Sequence, residues 1–245
     1  DYGGAAGLEA EAPGLSELAG AHAVRTPRVL ARGSAGRSAF LALEWIDSRP
    51  AGRAAEHRLG ERLAAQHRVT AAQFGFEDDN LIGRTRQPNG WLADWTEFFR
   101  ERRLRPQLAL AVQNGFGELL EKPGARLLES VAGLLAGHRP QASLLHGDLW
   151  AGNWLADERD EPVIFDPAVY YGDREADLAM TRLFGGFGRA FYDAYHEAAP
   201  LPAGHAVRAE LYNLYHVLNH ANLFGGGYAR QARASIDRLL GEVRG

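Results

Sequence analysis

A chain of 245 residues with 46% hydrophobic and 24% charged residues has the make-up of a globular protein with one or two domains and a substantial core. Its formal net charge of −4 supplies no electrostatic reason to expect nucleic acid or an anionic membrane as partner, and the absence of cysteine excludes disulfides, thiolate metal sites and a cysteine nucleophile. No apolar run approaches the roughly 18 residues of a membrane span, and the opening DYGGAAGLEAEAP lacks the basic and apolar regions of a signal peptide, so a reducing cytoplasm is the expected location.

In LEAEAPGLSELAG, Leu8, Leu15 and Leu18 have helical spacing, with Pro13 restricting where the helix begins. PRVLARG and SAFLALEWI are strand-like and joined by a hairpin over residues 33–37. Helix, strand and strand alone are too little sheet for a domain. Residues 53–68, RAAEHRLGERLAAQHR, predict a helix with Leu59 and Leu63 on one face, and FGFEDDNLIGRTRQPNGW predicts an ordered loop. Helices are expected over 91–103, 107–120 and 125–137. The short strands NWLA and PVIF, joined by DERDE, follow, and then helices over 175–183, 188–198 and 207–223.

Chemistry concentrates in LLHGDLWAGNW and in PVIFDP just beyond it. Asp148 and Asn153 at the end of one strand, with Asp166 at the end of the next, offer one proton acceptor and two hard oxygen ligands. Such oxygens suit Mg2+, which takes few side chains and completes its shell with phosphate oxygens and water. Phosphoryl transfer asks a protein mainly to position groups and neutralise charge, so this small set suffices for it. Asp and Asn also shape turns, but here three such residues and two strands coincide. His146 is expected to orient the loop by hydrogen bonding. His216 and His220 stand at i and i+4, yet Val217 occupies the place where a HExxH zinc site needs Glu. Trp95 is expected to pack, Trp91 is left open, and the glycines of FGGF and FGGGY are expected to end helices.

HGDLWAGN matches the HGDxxxxN loop of aminoglycoside and choline kinase-like enzymes. LLHGDLWAGNW, VIFDPAVYYGDREADLAM, LFGGF and FGFEDDNLIG with QPNGWLADWTEFFRERRLRPQL together resemble the fructosamine kinases, or ketosamine-3-kinases, over nearly the whole chain. The resemblance implies an α+β, bilobal protein-kinase-like fold with an incomplete N-terminal lobe. Residues 1–46 would be the remainder of the nucleotide lobe (helix, hairpin and hinge), and residues 47–245 a mainly helical lobe bearing the catalytic loop. It implies ATP and Mg2+ as cofactors, and a fructosamine or ribulosamine, free or protein-bound, as substrate. Carried over by residue, Asp148 is the catalytic base, Asn153 and Asp166 bind Mg2+, and Asp177 braces the catalytic loop beside His146. Backbone groups of Glu44, Trp45 and Ile46 would meet adenine, and Glu11 matches the helix glutamate that pairs with a phosphate-binding lysine. Trp150 could stack on the sugar, and the LNH segment makes His220 a substrate contact. Asp173 stands where the family often has His.

The Gly-rich phosphate loop and strand lysine of kinases are not found; Lys122 is the only lysine, and both parts would belong before Asp1. Rival readings are a kinase for another alcohol such as choline, a sugar or an aminoglycoside, using the same three residues, and, suggested by the absent lysine, a catalytically impaired pseudokinase or binding module. A metal-dependent hydrolase built on His146, Asp148 and Asp166 is a further rival. Oligomeric state leaves no trace in the sequence.

Overall fold

Helix α1 (Gly4–Gly20) opens the computed structural model, which describes residues 4–35 and 38–243; it buries Leu15 and Leu18 as their spacing predicts, with Ala12 beside them, and it runs on through a solvent-facing Pro13, which does not set its start as expected. It packs on an antiparallel pair, β1 (Val29–Ala35) and β2 (Ser38–Leu43), which pairs Val29 with Leu43, shifts register between Val29 and Ala31, and then runs from Ala31 opposite Ala42 to Ala35 opposite Ser38. The tip of the expected hairpin, residues 36 and 37, lies outside the described residues. After β3 (Ser48–Arg49), helix α2 (Arg53–Gln66) buries Ala55, Leu59 and Leu63, the apolar stripe read from its sequence.

The segment expected to be an ordered loop is one in part only. Beyond β4 (Thr70–Ala71) it forms a tight antiparallel hairpin of β5 (Asn80–Ile82) and β6 (Thr85–Gln87). Three-residue strands are too short to show alternation, so no period-2 signal marked them. The helical breaks also shift. Helix α3 (Trp95–Phe98) starts four residues later than expected and runs through a π-helical segment, Phe99–Leu104, directly into α4 (Arg105–Ala111), without the gap expected over residues 104–106. The chain turns instead at Gly115, which adopts φ 90°. Helix α5 (Gly117–Leu134) then continues across Pro123. Proline lacks the N–H that would bond the carbonyl four residues earlier. Here that Leu119 carbonyl accepts from Arg233 Nη1 at 3.3 Å, so a distant helix completes the broken ladder.

Two three-stranded sheets carry the candidate site. In one, β7 (Ala142–Leu145) lies between β4 and a later strand, β10 (Tyr170–Gly172); in the other, β8 (Trp154–Asp157) lies between β3 and β9 (Pro162–Ile164). Helices α6 (Glu175–Leu183), α7 (Arg189–Ala198) and α8 (His205–Phe224) follow as expected, and α9 (Gly227–Glu242) is an addition that packs on α5 and α8. Helices α2 and α7 approach so closely that a Cβ on Gly60 would stand 2.3 Å from the Phe191 carbonyl. No helix among the described residues is long and apolar enough to cross a membrane.

Candidate active site

Strand β7 is buried at every position and delivers the chain to His146, Gly147 and Asp148. His146 is fully buried. Its Nε2–H donates to the Phe165 carbonyl at 3.0 Å, leaving Nδ1 to accept from the Asp148 N–H at 3.2 Å. Burial pushes its pKa down, so the neutral ring serves as a crosslink between the two loops that bear Asp148 and Asp166. Gly147 takes φ 82°, and a Cβ there would stand 2.0 Å from the Ala168 carbonyl. The loops touch through backbone at this point. Gly147→Ala is expected to lose about 3 kcal/mol or more of stability, from the left-handed strain and the clash together, and most activity; urea unfolding and an activity assay check both.

Asp177, in the first turn of α6, lies beneath the loop and accepts from the N–H groups of His146 at 2.8 Å and Gly147 at 2.9 Å. Its Oδ2 also meets His67 Nε2 at 3.2 Å, and His67 Nδ1 is 2.8 Å from the Tyr195 hydroxyl. Burial alone would raise the Asp177 pKa, but the bond to His67, the nearby histidines and the Gly147 amide hold it below its ordinary value. Nothing in the sequence marks His67 as part of the site. It lies 110 residues before Asp177, and nothing local links them.

Asn153 brings the two loops to one point. Its Nδ2 donates to the Asp148 carbonyl at 2.9 Å and the Asp166 carbonyl at 3.3 Å, and lies 3.4 Å from Asp148 Oδ2. Carbonyls only accept, so the amide nitrogen must face them. The amide oxygen is left without a partner among the described residues. Asp166 is exposed and left-handed, with φ 56°, a conformation that non-glycine residues adopt at a cost of about 1–3 kcal/mol where surrounding structure requires it. Burial, then Asp166, then Asp177 push the Asp148 carboxyl up to about 7.

Helix α1 reaches the same place. A Cβ on Gly14 would contact Val169 at 3.2 Å and Pro167 at 3.4 Å, so the helix rests directly on the segment after Asp166. Glu11, one turn earlier, is half-buried, and burial followed by the charge of Asp166 pushes it up to about 7. The stretch Glu44, Trp45 and Ile46 joins β2 to β3. Glu44 N–H donates to the Arg28 carbonyl at 2.8 Å, and its carboxylate accepts from the Arg28 N–H and from Arg25, which lower its pKa. Glu44 therefore has its amide and carboxylate occupied within the protein, while the Trp45 side chain is 85% exposed. Arg25 also bonds Asp157 at 2.5 Å, tying this connection to the β8–β9 hairpin.

Around Asp148, Trp150 is 40% exposed and its ring lies over Gly152, where a Cβ would come within 2.2 Å of it. His216 on α8 is buried, with Nδ1 3.8 Å from Asp148 Oδ1; burial, then His220, push it down to about 3, so it faces the carboxylate uncharged. His220, one turn on, donates from Nδ1 to the His216 carbonyl at 2.9 Å. Trp95 is buried against Phe98, Phe99 and Tyr212, as expected of a packing residue, while Trp91 is 42% exposed beside Tyr171. Asp173 is buried, accepting from the Tyr212 hydroxyl and pairing with His138 Nε2, each at 2.6 Å. Asp173, Glu175 and His138 cluster closely enough to suggest a metal, but Arg208 grips both oxygens of Glu175 at 2.8 and 2.9 Å.

The protein is 46% identical over 234 residues to the Synechocystis protein named "probable ketoamine kinase", covering 95% of this chain and 78% of that one. It is 42% identical over 240 residues to the Arabidopsis thaliana protein named "protein-ribulosamine 3-kinase, chloroplastic", covering 97% of this chain and 73% of the relative. A solved structure named "putative fructosamine-3-kinase", from Haemophilus somnus, superposes with a TM-score of 0.89 at 30% identity, over 96% of this chain and 80% of that one. The fold is the α+β protein-kinase-like one, and the chain is a phosphotransferase with an alcohol group as acceptor, which sets aside the hydrolase and the binding module. Residues 4–242 match the model of the fructosamine kinase family, and the chain belongs to that family.

Proposed function

We propose that the protein is an ATP-dependent kinase of ketosamines, phosphorylating a sugar hydroxyl of fructosamines or ribulosamines, free or protein-bound. The carrying observation is the Asn153 carboxamide, whose nitrogen joins the Asp148 and Asp166 backbones and lies 3.4 Å from an Asp148 carboxylate oxygen, leaving its own oxygen without a partner among the described residues. The names of the relatives support the substrate class.

Asp148 accepts the proton of the attacking hydroxyl, and a carboxyl raised toward neutrality is a stronger base than an ordinary one. His146 and Asp177 hold its backbone in place, and neutral His216 borders it without neutralising it. Asn153 and Asp166 would hold Mg2+, and their oxygens suit it: one free amide oxygen and one exposed carboxylate. Bound there, Mg2+ would neutralise charge on the ATP phosphates. Glu11 would be returned to its ionised form by a cation, the part that a lysine plays in kinases generally. Backbone groups of Trp45 and Ile46 and the Glu44 carbonyl would meet adenine, Trp150 would stack on the sugar, and His220 would contact the substrate. Residues 1–46 would belong to the nucleotide lobe and 47–245 to the catalytic lobe.

The test is ADP release with fructoselysine, ribuloselysine, choline and kanamycin. Turnover of a ketosamine that needs both ATP and Mg2+ is expected; preferred turnover of choline or kanamycin, or of nothing, would overturn the reading. Asp166→Asn tests the metal role, because Asn tolerates the left-handed backbone while losing the charge. A kcat about 100-fold lower, with half-saturation moved to higher Mg2+, is expected from a Mg2+ titration of the rate.

A further inference from the structure

Helices α6 and α8 end in the same way. Phe184 caps the first, just past Leu183, and is followed by Gly185 and Gly186; Phe224 is the last residue of the second and is followed by Gly225 and Gly226. All four glycines have positive φ, at 72°, 91°, 66° and 62°. Only glycine takes two such residues in a row without strain. Each pair turns the chain sharply away and leaves its phenylalanine at the helix tip, 42% exposed for Phe184 and 63% for Phe224.

Both rings meet at one side chain. The His220 imidazole lies 4.9 Å from the ring of Phe184, 5.5 Å from Phe224 and 5.1 Å from Tyr228, tilted at 49°, 57° and 52° to them. Its Nδ1–H is bound to the His216 carbonyl, so the lone pair is on Nε2, on the side of the ring away from the helix backbone. Burial lowers the His220 pKa, which keeps that lone pair available. Three aromatic rings thus pack around one hydrogen-bond acceptor.

This aromatic cluster adjoins the reaction centre. His216, one helical turn before His220, is the side chain 3.8 Å from Asp148. On the other flank a Cβ on Gly186 would stand 2.4 Å from the Cβ of Ala151, so the loop after Phe184 is pressed against the catalytic loop. Phe187 anchors that loop by stacking on Trp154 and packing on Phe191, leaving Phe184 outside. One helical turn, about 5.4 Å, is comparable to the width of a sugar ring.

We propose that Phe184, Phe224 and Tyr228, gathered around His220, form the site for the amine-bearing arm of the substrate. This rests on the ketosamine reading above and extends it from the sugar to the group attached to it. The nitrogen of a ketosamine is a secondary alkylamine, positively charged at neutral pH, and aromatic faces attract alkylammonium ions. With the sugar hydroxyl at Asp148, the ammonium reaches the ring faces, donates a hydrogen bond to His220 Nε2, and sends its alkyl chain out between Phe184 and Phe224.

Steady-state kinetics on two substrates sharing one fructosyl group test this: a fructosyl-lysine peptide and a neutral 1-O-alkyl fructose with no nitrogen. The variant F184L/F224L keeps apolar bulk and removes both rings, and F184W/F224W keeps aromatic faces. The first is expected to lower the ratio of kcat/KM for the peptide over the ether about tenfold, chiefly through KM for the peptide, and the second to hold the ratio within about twofold of wild type. An unchanged ratio in F184L/F224L, or an equal fall for both substrates, overturns the arm site while leaving the kinase reading standing. A wild type that phosphorylates neither ketosamines nor the ether overturns the kinase reading itself. Tryptophan variants that behave like the leucine ones overturn the role of the rings.

Discussion

Asp148→Asn is expected to lower kcat about 10^2- to 10^4-fold while ATP affinity stays within a few fold of wild type. The substitution keeps the shape of the side chain and its place beside the Asn153 amide, but an amide oxygen is far too weak a base to take the hydroxyl proton. Nucleotide titration and single-turnover phosphoryl transfer together check this. Loss of both binding and transfer would mean that Asp148 is structural. A second, opposite consequence follows from its environment. A carboxyl whose folded-state pKa is raised binds protons more tightly folded than unfolded, so stability falls as pH rises from the unfolded value through the folded one near 7. In the absence of metal and nucleotide, Asp148→Asn is therefore expected to melt at a higher temperature than wild type at pH 8. The gain should vanish near pH 4, where both proteins are neutral at this position. A melting series across that range would read it, and no gain at pH 8 would contradict the burial argument.

Asp177→Asn is expected to damage the fold as much as the reaction. The carboxylate accepts three hydrogen bonds, from His146 N–H, Gly147 N–H and His67, from a fully buried position. An asparagine keeps one oxygen and sets an NH2 group against at least one of those donors. A buried donor facing a donor leaves both unsatisfied, so the expected loss is about 2–4 kcal/mol of stability by urea unfolding. Because the two amides set the course of the chain into Asp148, a kcat at least about 100-fold lower is expected even in the folded fraction. The lowered Asp177 pKa gives the sign of its pH dependence. Its contribution is complete above the ordinary carboxylate range and is lost as pH falls through the folded value, so wild type and Asp177→Asn should converge in stability in acid. An Asp177→Asn protein with wild-type stability and wild-type kcat would remove the brace from the account.

Much of the protein was legible in its residues. The apolar stripes of α2, α6, α7 and α8 place those helices because helical burial is periodic, and a period survives in one dimension. Asp148, Asn153 and Asp166 could be read as a group because they lie within 19 residues, on one loop and one hairpin, where local geometry forces them together. The β5–β6 hairpin left no comparable mark. Its place is set by side chains that reach elsewhere: Asn80 Nδ2 donates to the Val169 carbonyl at 2.7 Å and Gln87 Nε2 to the Ala168 carbonyl at 3.0 Å, which pins the hairpin to the segment after Asp166. Helix α5 passes Pro123 for the same kind of reason, since Arg233 supplies the missing donor from 114 residues away in the chain.

The residues alone pointed to the class of chemistry, a candidate proton acceptor with two hard oxygens at the ends of adjacent strands, since those groups are neighbours in the chain and their types restrict what they can bind. Only the tertiary structure decided what surrounds them: His67 under the loop through Asp177, uncharged His216 beside Asp148, and two helix ends brought together at His220. Such pairings join residues tens to more than a hundred positions apart, and one folded packing selects them from the many contacts that composition and periodicity would equally allow.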